Sequence, residues 1–401
     1  MALTVRYFVR PDAYWEGHDF NMRQYSRFAE RVGTELASTC RLAGPFDPPN
    51  RSGLSFEKTA NFLAASHTSA YLKRIKDYFP NPDLAWAEFE VSCTEDVYVT
   101  EVVDVGGTVA ACLDALEGNG TPSSSVEPTG RRSDATAPGC GFNIGGGYHH
   151  AFRDHGEGFC IFNDVGIAIE ALLQLGKIAG AVVLDLDVHQ GNGVASFFPP
   201  KLPKPGYLRE EWIRYGHSGK RMRDDAASRG GESWVYRACP KPSFQHDSVF
   251  TVSIHNEENY PWYDQSRMVS SLDIGLPWYT ADEIYLAELE YALTWISESL
   301  TLKARCDPTG RDSTSPTLLI YVAGADAYEH DRLGGLCISK AALKLRDERV
   351  FRFARALGLP VAVVLAGGYA KDVEDLVDVR MNTLRALLDC HACVQALRST
   401  Q

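Results

Sequence analysis

No stretch of this 401-residue chain approaches the roughly 20 consecutive apolar residues that a membrane-spanning helix needs. The opening residues, MALTVRYFVR, contain no continuous apolar segment, so no secretory signal is expected. Positive charge is in deficit, with 40 Lys and Arg against 52 Asp and Glu, a net charge of −12. That balance argues against direct nucleic-acid binding, which needs a basic surface. The ten cysteines are scattered rather than clustered as in a small disulfide-rich domain. Their one close pair, Cys390 and Cys393, is a lone C-x-x-C that helix packing explains better than metal or redox chemistry. No internal repeat is present. The expectation is an intracellular protein, cytoplasmic or nuclear, that is neither secreted nor held in a membrane. At 45% hydrophobic and 23% charged, the composition is that of a folded chain and excludes extensive disorder.

Helical periodicity runs over residues 22–36, 66–79 and 95–116. Residues 118–139 are rich in Gly, Ser, Thr and Pro and read as an inserted surface loop. Beyond them the pattern alternates. Asn163-Asp164 predicts the start of a helix that Gly176 can close. An all-apolar strand is predicted at 181–184 and further strands at 248–255, 317–322 and 361–365, with helices at 281–302, 340–357 and 373–397. The predicted fold is one α/β domain over residues 1–401, a mostly parallel open sheet with helices on both faces. Residues 201–245 lack sustained periodicity and carry ten Lys and Arg against five Asp and Glu. They read as a second, basic insertion on the loop side of the sheet, more readily a solvated loop than a docking surface.

Chemistry concentrates after the predicted strands. Asp185, Asp187 and His189 alternate in DLDVHQGNG, so an extended chain would aim all three to one side. An N-capping Asp and a core His would explain one residue each, but not the alternation. GGGYHH places His149 and His150 beyond three glycines, and paired imidazoles suit proton transfer at neutral pH. Asp326 in GAD and Tyr369 in GGY each follow a predicted strand, at the edge where open α/β sheets collect ligands. Either would be an ordinary loop residue alone; the coincidence carries the argument. Asp187, His189 and Asp326 form a two-carboxylate, one-imidazole set with an open position, as catalytic Zn2+ requires. Two carboxylates balance a divalent charge, so the set also suits Fe2+. With the histidines moving protons and Tyr369 donating to an oxyanion, the pattern fits metal-dependent amide hydrolysis.

The motifs GGGYHHA, GEGFC, DLDVHQGNG, GADAYEHDRLGG and LAGGY, in that order, resemble the histone deacetylase and acetylpolyamine amidohydrolase family. The resemblance runs from about residue 20 to about 388, excluding the two insertions, and looks most like the class IV branch and its bacterial relatives. It implies an arginase/deacetylase-like sheet with its active site at the carboxyl ends of the strands. It implies that Asp187, His189 and Asp326 bind Zn2+ and that His149 and His150 are the acid–base pair. Asp185 would hold the first histidine, while Asn192 stands where some branches carry Asp, which would leave His150 less basic. Tyr369 matches the oxyanion-stabilising tyrosine. Gly158, Phe159, Leu333 and Tyr260 match positions lining an acyl-lysine tunnel. Oxygens around Asp185, Asp187, His189, Ser253 and Ile254 match an inner structural K+ site. Two departures stand out: the rim carboxylates that grip a peptide backbone in some branches are not evident, and the basic insertion has no counterpart.

The implied activity is removal of acetyl or longer acyl groups from lysine side chains. One alternative is deacetylation of acetylated polyamines or other small amides, which preference for a free acetylated diamine over a peptide would reveal. The other is an acyl-lysine-binding scaffold without turnover, revealed by stoichiometric binding of an uncleaved peptide.

Overall fold

In the computed structural model, the described residues are 2–8, 17–48, 53–118, 138–200, 208–215, 233–240, 248–261, 267–306 and 315–398. The strands are β1 (Leu3–Arg6), β2 (Cys40–Ala43), β3 (Cys140–Asn143), β4 (Gly180–Asp185), β5 (Leu208–Tyr215), β6 (Ser233–Pro240), β7 (Val249–Asn256), β8 (Leu272–Leu276), β9 (Thr317–Val322) and β10 (Val361–Val364). The helices are α1 (Arg23–Glu35), α2 (Phe56–Ser66), α3 (Ser69–Asp77), α4 (Trp86–Phe89), α5 (Glu95–Glu117), α6 (Asp164–Gln174), α7 (Asn192–Phe197), α8 (Asp282–Cys306), α9 (Lys340–Ala356) and α10 (Val373–Arg398).

β4 reads GAVVLD and is buried throughout, as a central parallel strand covered on both faces must be. Its alternate residues enter different cores. Val182 and Leu184 pack with Leu319 and Tyr321 of β9 under α1, α8, α9 and α10. Ala181 and Val183 pack with Leu318 and Ile320 under α5 and α6. The sheet order is β2-β1-β3-β10-β9-β4-β7-β8-β6-β5. Every pairing from β2 to β8 is parallel, so those strands end at the same edge. The five neighbours β3, β10, β9, β4 and β7 therefore deliver their following loops side by side. The predicted α/β architecture, a mostly parallel sheet with helices on both faces, is the one observed.

Local signals behave as expected at α6. Asn163 Oδ1 accepts the Gly166 N–H at 2.8 Å, and Gly176 follows the helix at φ 64°. Short β1, β2, β3 and β8, and helix α2, were not expected; four- and five-residue strands are too brief to show a period.

The expectation of a plain loop at 201–245 is corrected. β5 and β6 form an antiparallel hairpin, and β6 pairs antiparallel with β8, extending the sheet. Arg237, one of that segment's basic residues, bridges Glu288 of α8 at 2.7 and 2.8 Å and lies over the Tyr291 ring. Pairing to the sheet thus absorbs part of the charge read as solvated. Residues 201–207, 216–232 and 241–247 lie outside the described residues, as do 119–137 of the first insertion.

α5 crosses β3 so closely that a Cβ on Gly141 would lie 1.9 Å from the Ala111 carbonyl oxygen. Gly141→Ala should lower stability by about 3 kcal/mol, because helix backbone cannot yield as a side chain would. A shift in the urea-unfolding midpoint measures this; an unmoved midpoint would mean the helix can back away from the strand.

Candidate active site

Asp185 is the last residue of β4, and Asp187 and His189 follow it on a turn that leads into α7. The turn is stitched by its own carboxylates. Asp185 Oδ1 accepts the Asp187 N–H at 3.1 Å, and Asp187 Oδ1 accepts the His189 N–H at 2.9 Å. Neighbouring loops are tied to the same groups: the Gly367 N–H after β10 donates to Asp187 Oδ2 at 2.8 Å, and Asp326 after β9 accepts the Val188 N–H at 2.9 Å. Gly324 and Gly367 are required here, because a Cβ on either would lie within 2.8 Å of a carboxylate oxygen.

The result is a buried trio. Ligating atoms of Asp187, His189 and Asp326 all lie within 4.8 Å of one another. His189 Nδ1 is 3.1 Å from Asp187 Oδ1 and 3.3 Å from Asp326 Oδ2. Asp326 Oδ2 is buried without a hydrogen bond. Burial, then the neighbouring charge of Asp187, push the Asp326 carboxyl up to about 6. Two carboxylates crowded away from water beside an unsatisfied oxygen are what a divalent cation relieves, so these residues fit a metal.

The two histidines are adjacent in sequence but differently partnered. His149 Nδ1 is 2.7 Å from Asp185 Oδ2, and His150 Nδ1 is 2.7 Å from Asn192 Oδ1. Burial pulls the His149 imidazole down, but Asp185 and Asp187 outweigh it and push it up to about 9. Burial holds His150 well below the usual range, helped by His149 and His189. Their proton affinities are thereby driven apart, which suits one group to hold a proton and the other to accept one. The Gly145–Gly147 turn that presents them is anchored by Asp164, which accepts the Gly147 and Tyr148 N–H groups.

Tyr369 is buried beside this centre, its ring 6.1 Å from that of His189. Burial, then Asp187 and Asp326, raise its hydroxyl far above the ordinary tyrosine value, which keeps it a donor. Phe159, at φ 67°, lies 6.0 Å from Tyr369, and Tyr260 packs edge-on against His150 at 4.9 Å. A Cβ on Gly158 would strike both His150 and Tyr260, at 2.7 and 2.9 Å. Leu333 is brought to the same loop cluster through Asn259, which donates to its carbonyl at 2.6 Å. Asp185 and Ser253 are register partners on β4 and β7, with Ile254 buried beside them. The strand ends thus bring all the sequence-predicted site residues into one region.

Three carboxylates escaped sequence reasoning. Asp331 accepts the N–H groups of Tyr369, Leu333 and Gly334, clamping the Tyr369 loop to the loop that carries Leu333. Glu157 accepts from Asn192, and Glu157 and Glu90 both act electrostatically on Tyr260. Only the position of Asp331 within DRLGG offered a signal; the contacts of the others arise from the fold.

The profile of the histone deacetylase domain matches residues 55–384. An uncharacterized protein of Picosynechococcus sp. (strain PCC 7002) is 34% identical over 239 residues, 60% of this chain and 59% of that protein. Histone deacetylase 2 of Arabidopsis thaliana is 30% identical over 238 residues, 59% of this chain and 46% of that protein. The chain therefore matches about half the length of these curated relatives. Among solved structures, acetylpolyamine aminohydrolase from Burkholderia pseudomallei aligns with a TM-score of 0.58 at 16% identity, covering 96% of this chain and 98% of that one. The HDA15 HD domain aligns at 0.59 and 16% identity, covering 96% and 90%. At such identity these two establish likeness of fold.

Gly367 supplies a test of the trio that leaves its donor atoms intact. A Cβ there would lie 2.1 Å from Asp326 Oδ2 and 2.7 Å from Asp187 Oδ2. Gly367→Ala should weaken Zn2+ binding by about 100-fold, the scale seen when groups supporting metal ligands are disturbed. Competition with a chromogenic chelator reads the affinity, and circular dichroism checks folding. Undiminished affinity in a folded variant would remove these carboxylates from the metal site.

Proposed function

The chain belongs to the histone deacetylase family, and on that premise we propose that it hydrolyses acyl-lysine amides, releasing a carboxylate and the free amine. The observation that carries this reading is the convergence of a buried Asp187–His189–Asp326 trio, a His149–His150 dyad with unlike partners, and Tyr369. Residues 1–401 act as one catalytic unit.

Asp187, His189 and Asp326 would hold the divalent cation, Zn2+ or Fe2+. Such an ion supplies Lewis acidity, polarising a carbonyl oxygen and lowering the pKa of water. His150 takes a proton from the attacking water through the ring nitrogen turned away from Asn192. His149, held by Asp185, keeps the positive charge of the dyad beside the reacting carbonyl, and the pair returns a proton to the departing amine. Tyr369 donates a hydrogen bond to the oxygen that becomes negative. Gly158, Phe159, Tyr260 and Leu333 hold the apolar stem of the lysine and keep water from the amide. The pairing of Asp185 with Ser253 supports a structural K+ among oxygens of Asp185, Asp187, His189, Ser253 and Ile254.

One observation favours a second substrate class. Glu157 and Glu90 both act electrostatically on Tyr260, and negative charge near that ring would attract the distal ammonium of an acetylated polyamine. Competition kinetics separate the two readings. Zinc-loaded protein is offered a peptide with acetyl- or long-chain acyl-lysine alongside an acetylated diamine. The peptide should win, and its preferred chain length reports the depth of the tunnel; preference for the diamine would overturn the protein-deacylase reading.

Tyr369→Phe should lower kcat by about 100-fold with little change in KM, because the hydroxyl binds charge that exists only in the transition state. Equal turnover by this variant would exclude the oxyanion role.

A further inference from the structure

Asn192 is an amide where its neighbour's partner, Asp185, is a carboxylate, and the difference creates a need. Both oxygens of a carboxylate accept, so either rotamer of Asp185 fits His149. An amide has an accepting and a donating end, and a half-turn would exchange them. If the NH2 end faced His150, it would force the imidazole into the opposite tautomer.

The surroundings of Asn192 leave one orientation. On one side, Oδ1 lies 2.7 Å from His150 Nδ1 and 3.0 Å from the Gly193 N–H, a group that can only donate. On the other, Nδ2 lies 2.5 Å from Glu157 Oε1. A turned amide would set an N–H against the Gly193 N–H and oxygen against the Glu157 oxygen. Glu157 is itself held in place. It sits on the short loop closed by the Cys160 N–H to its own carbonyl, at 2.9 Å, and its side chain is only 17% exposed. The Tyr260 hydroxyl also bonds to it, and His155 Nε2 lies 3.9 Å from its second oxygen.

We propose that Glu157 is a positioning residue for the histidine dyad: by accepting the Asn192 NH2 it fixes the amide, and so keeps His150 protonated on Nδ1 and bare on Nε2. This rests on the catalytic reading of the dyad given above. It adds a residue acting at one remove, and it makes the amide at 192 and the carboxylate at 157 a matched pair. Because Glu157 also bonds the tunnel residue Tyr260, the wall that meets the substrate and the orientation of the base share one anchor.

The test uses the full zinc-loaded chain with 15N-labelled histidine, His150 being assigned by difference from His150→Gln. Ring-nitrogen shifts report the tautomer directly, whether or not any substrate is turned over. Wild type should show His150 with a protonated Nδ1 and a bare Nε2. Glu157→Ala should give a mixture of tautomers and a roughly 10-fold loss in kcat/KM, carried by kcat and smaller than the ~10²–10⁴-fold that a general base contributes, because part of the population keeps the competent tautomer. Asn192→Asp alone sets two carboxylates in contact and should lose activity. Adding Glu157→Gln should recover at least about half of that loss on a logarithmic scale, since the new amide donates to the new carboxylate.

An unchanged His150 tautomer in Glu157→Ala, or no recovery in the double variant, would overturn the proposal. If Glu157→Ala does not fold, the comparison of Asn192→Asp with the double variant decides alone. If no acyl-lysine peptide is cleaved, the catalytic reading fails, while the tautomer populations still pass or reject the role of Glu157.

Discussion

Two carboxylates, Asp187 and Asp326, are held against each other away from water, and most of the molecule's architecture answers that placement. Burying one such charge costs several kcal/mol unless it is compensated, and burying two together multiplies the difficulty. Part of the compensation is backbone: the Gly367 N–H meets Asp187, and the Val188 N–H meets Asp326. Those bonds join loops from three adjacent strands, so the same contacts that satisfy the acids also align β10, β9 and β4 at their ends. Only a parallel sheet brings so many loops to one edge, and only glycine permits the backbone to come so near.

The adjacent histidines show how little sequence separation says about chemistry. One residue apart, they reach into different second elements, the end of β4 and the start of α7. One meets a carboxylate that, with Asp187, outweighs burial and raises its proton affinity; the other meets an amide too weak to offset burial and the neighbouring His149 and His189, and its affinity falls. The division between holding and accepting a proton thus comes from the burial and the charges around each ring, Asp185 and Asp187 on one side and the two other imidazoles on the other.

Much of this was legible in the chain. Central strands announce themselves as unbroken apolar runs because both their faces are covered, and the alternation in DLDVH survives into the folded turn. What was not legible depends on long-range pairing. β1, β2 and β3 have four residues each, too few to carry a period, and exist because neighbours accept their hydrogen bonds. Residues 208–215 and 233–240 looked irregular because a hairpin joined to a sheet edge need not be apolar on alternate positions. Glu157 carries no signal of its own in GEGFC; its contact with Asn192, 35 positions away, exists only in the folded chain.

The β5–β6 hairpin also determines what kind of margin the sheet presents to other molecules. Without it the last strand would be β8, reading LDIGL, whose backbone donors and acceptors would be open along a mostly apolar face. Such a margin recruits strands from other chains. With the hairpin in place the outermost strand is β5, LREEWIRY, in which four of eight residues are charged. The segment that looked like an embellishment is thus also a guard against unwanted self-recognition. A chain shortened there would have its strand-end chemistry intact and its solubility compromised.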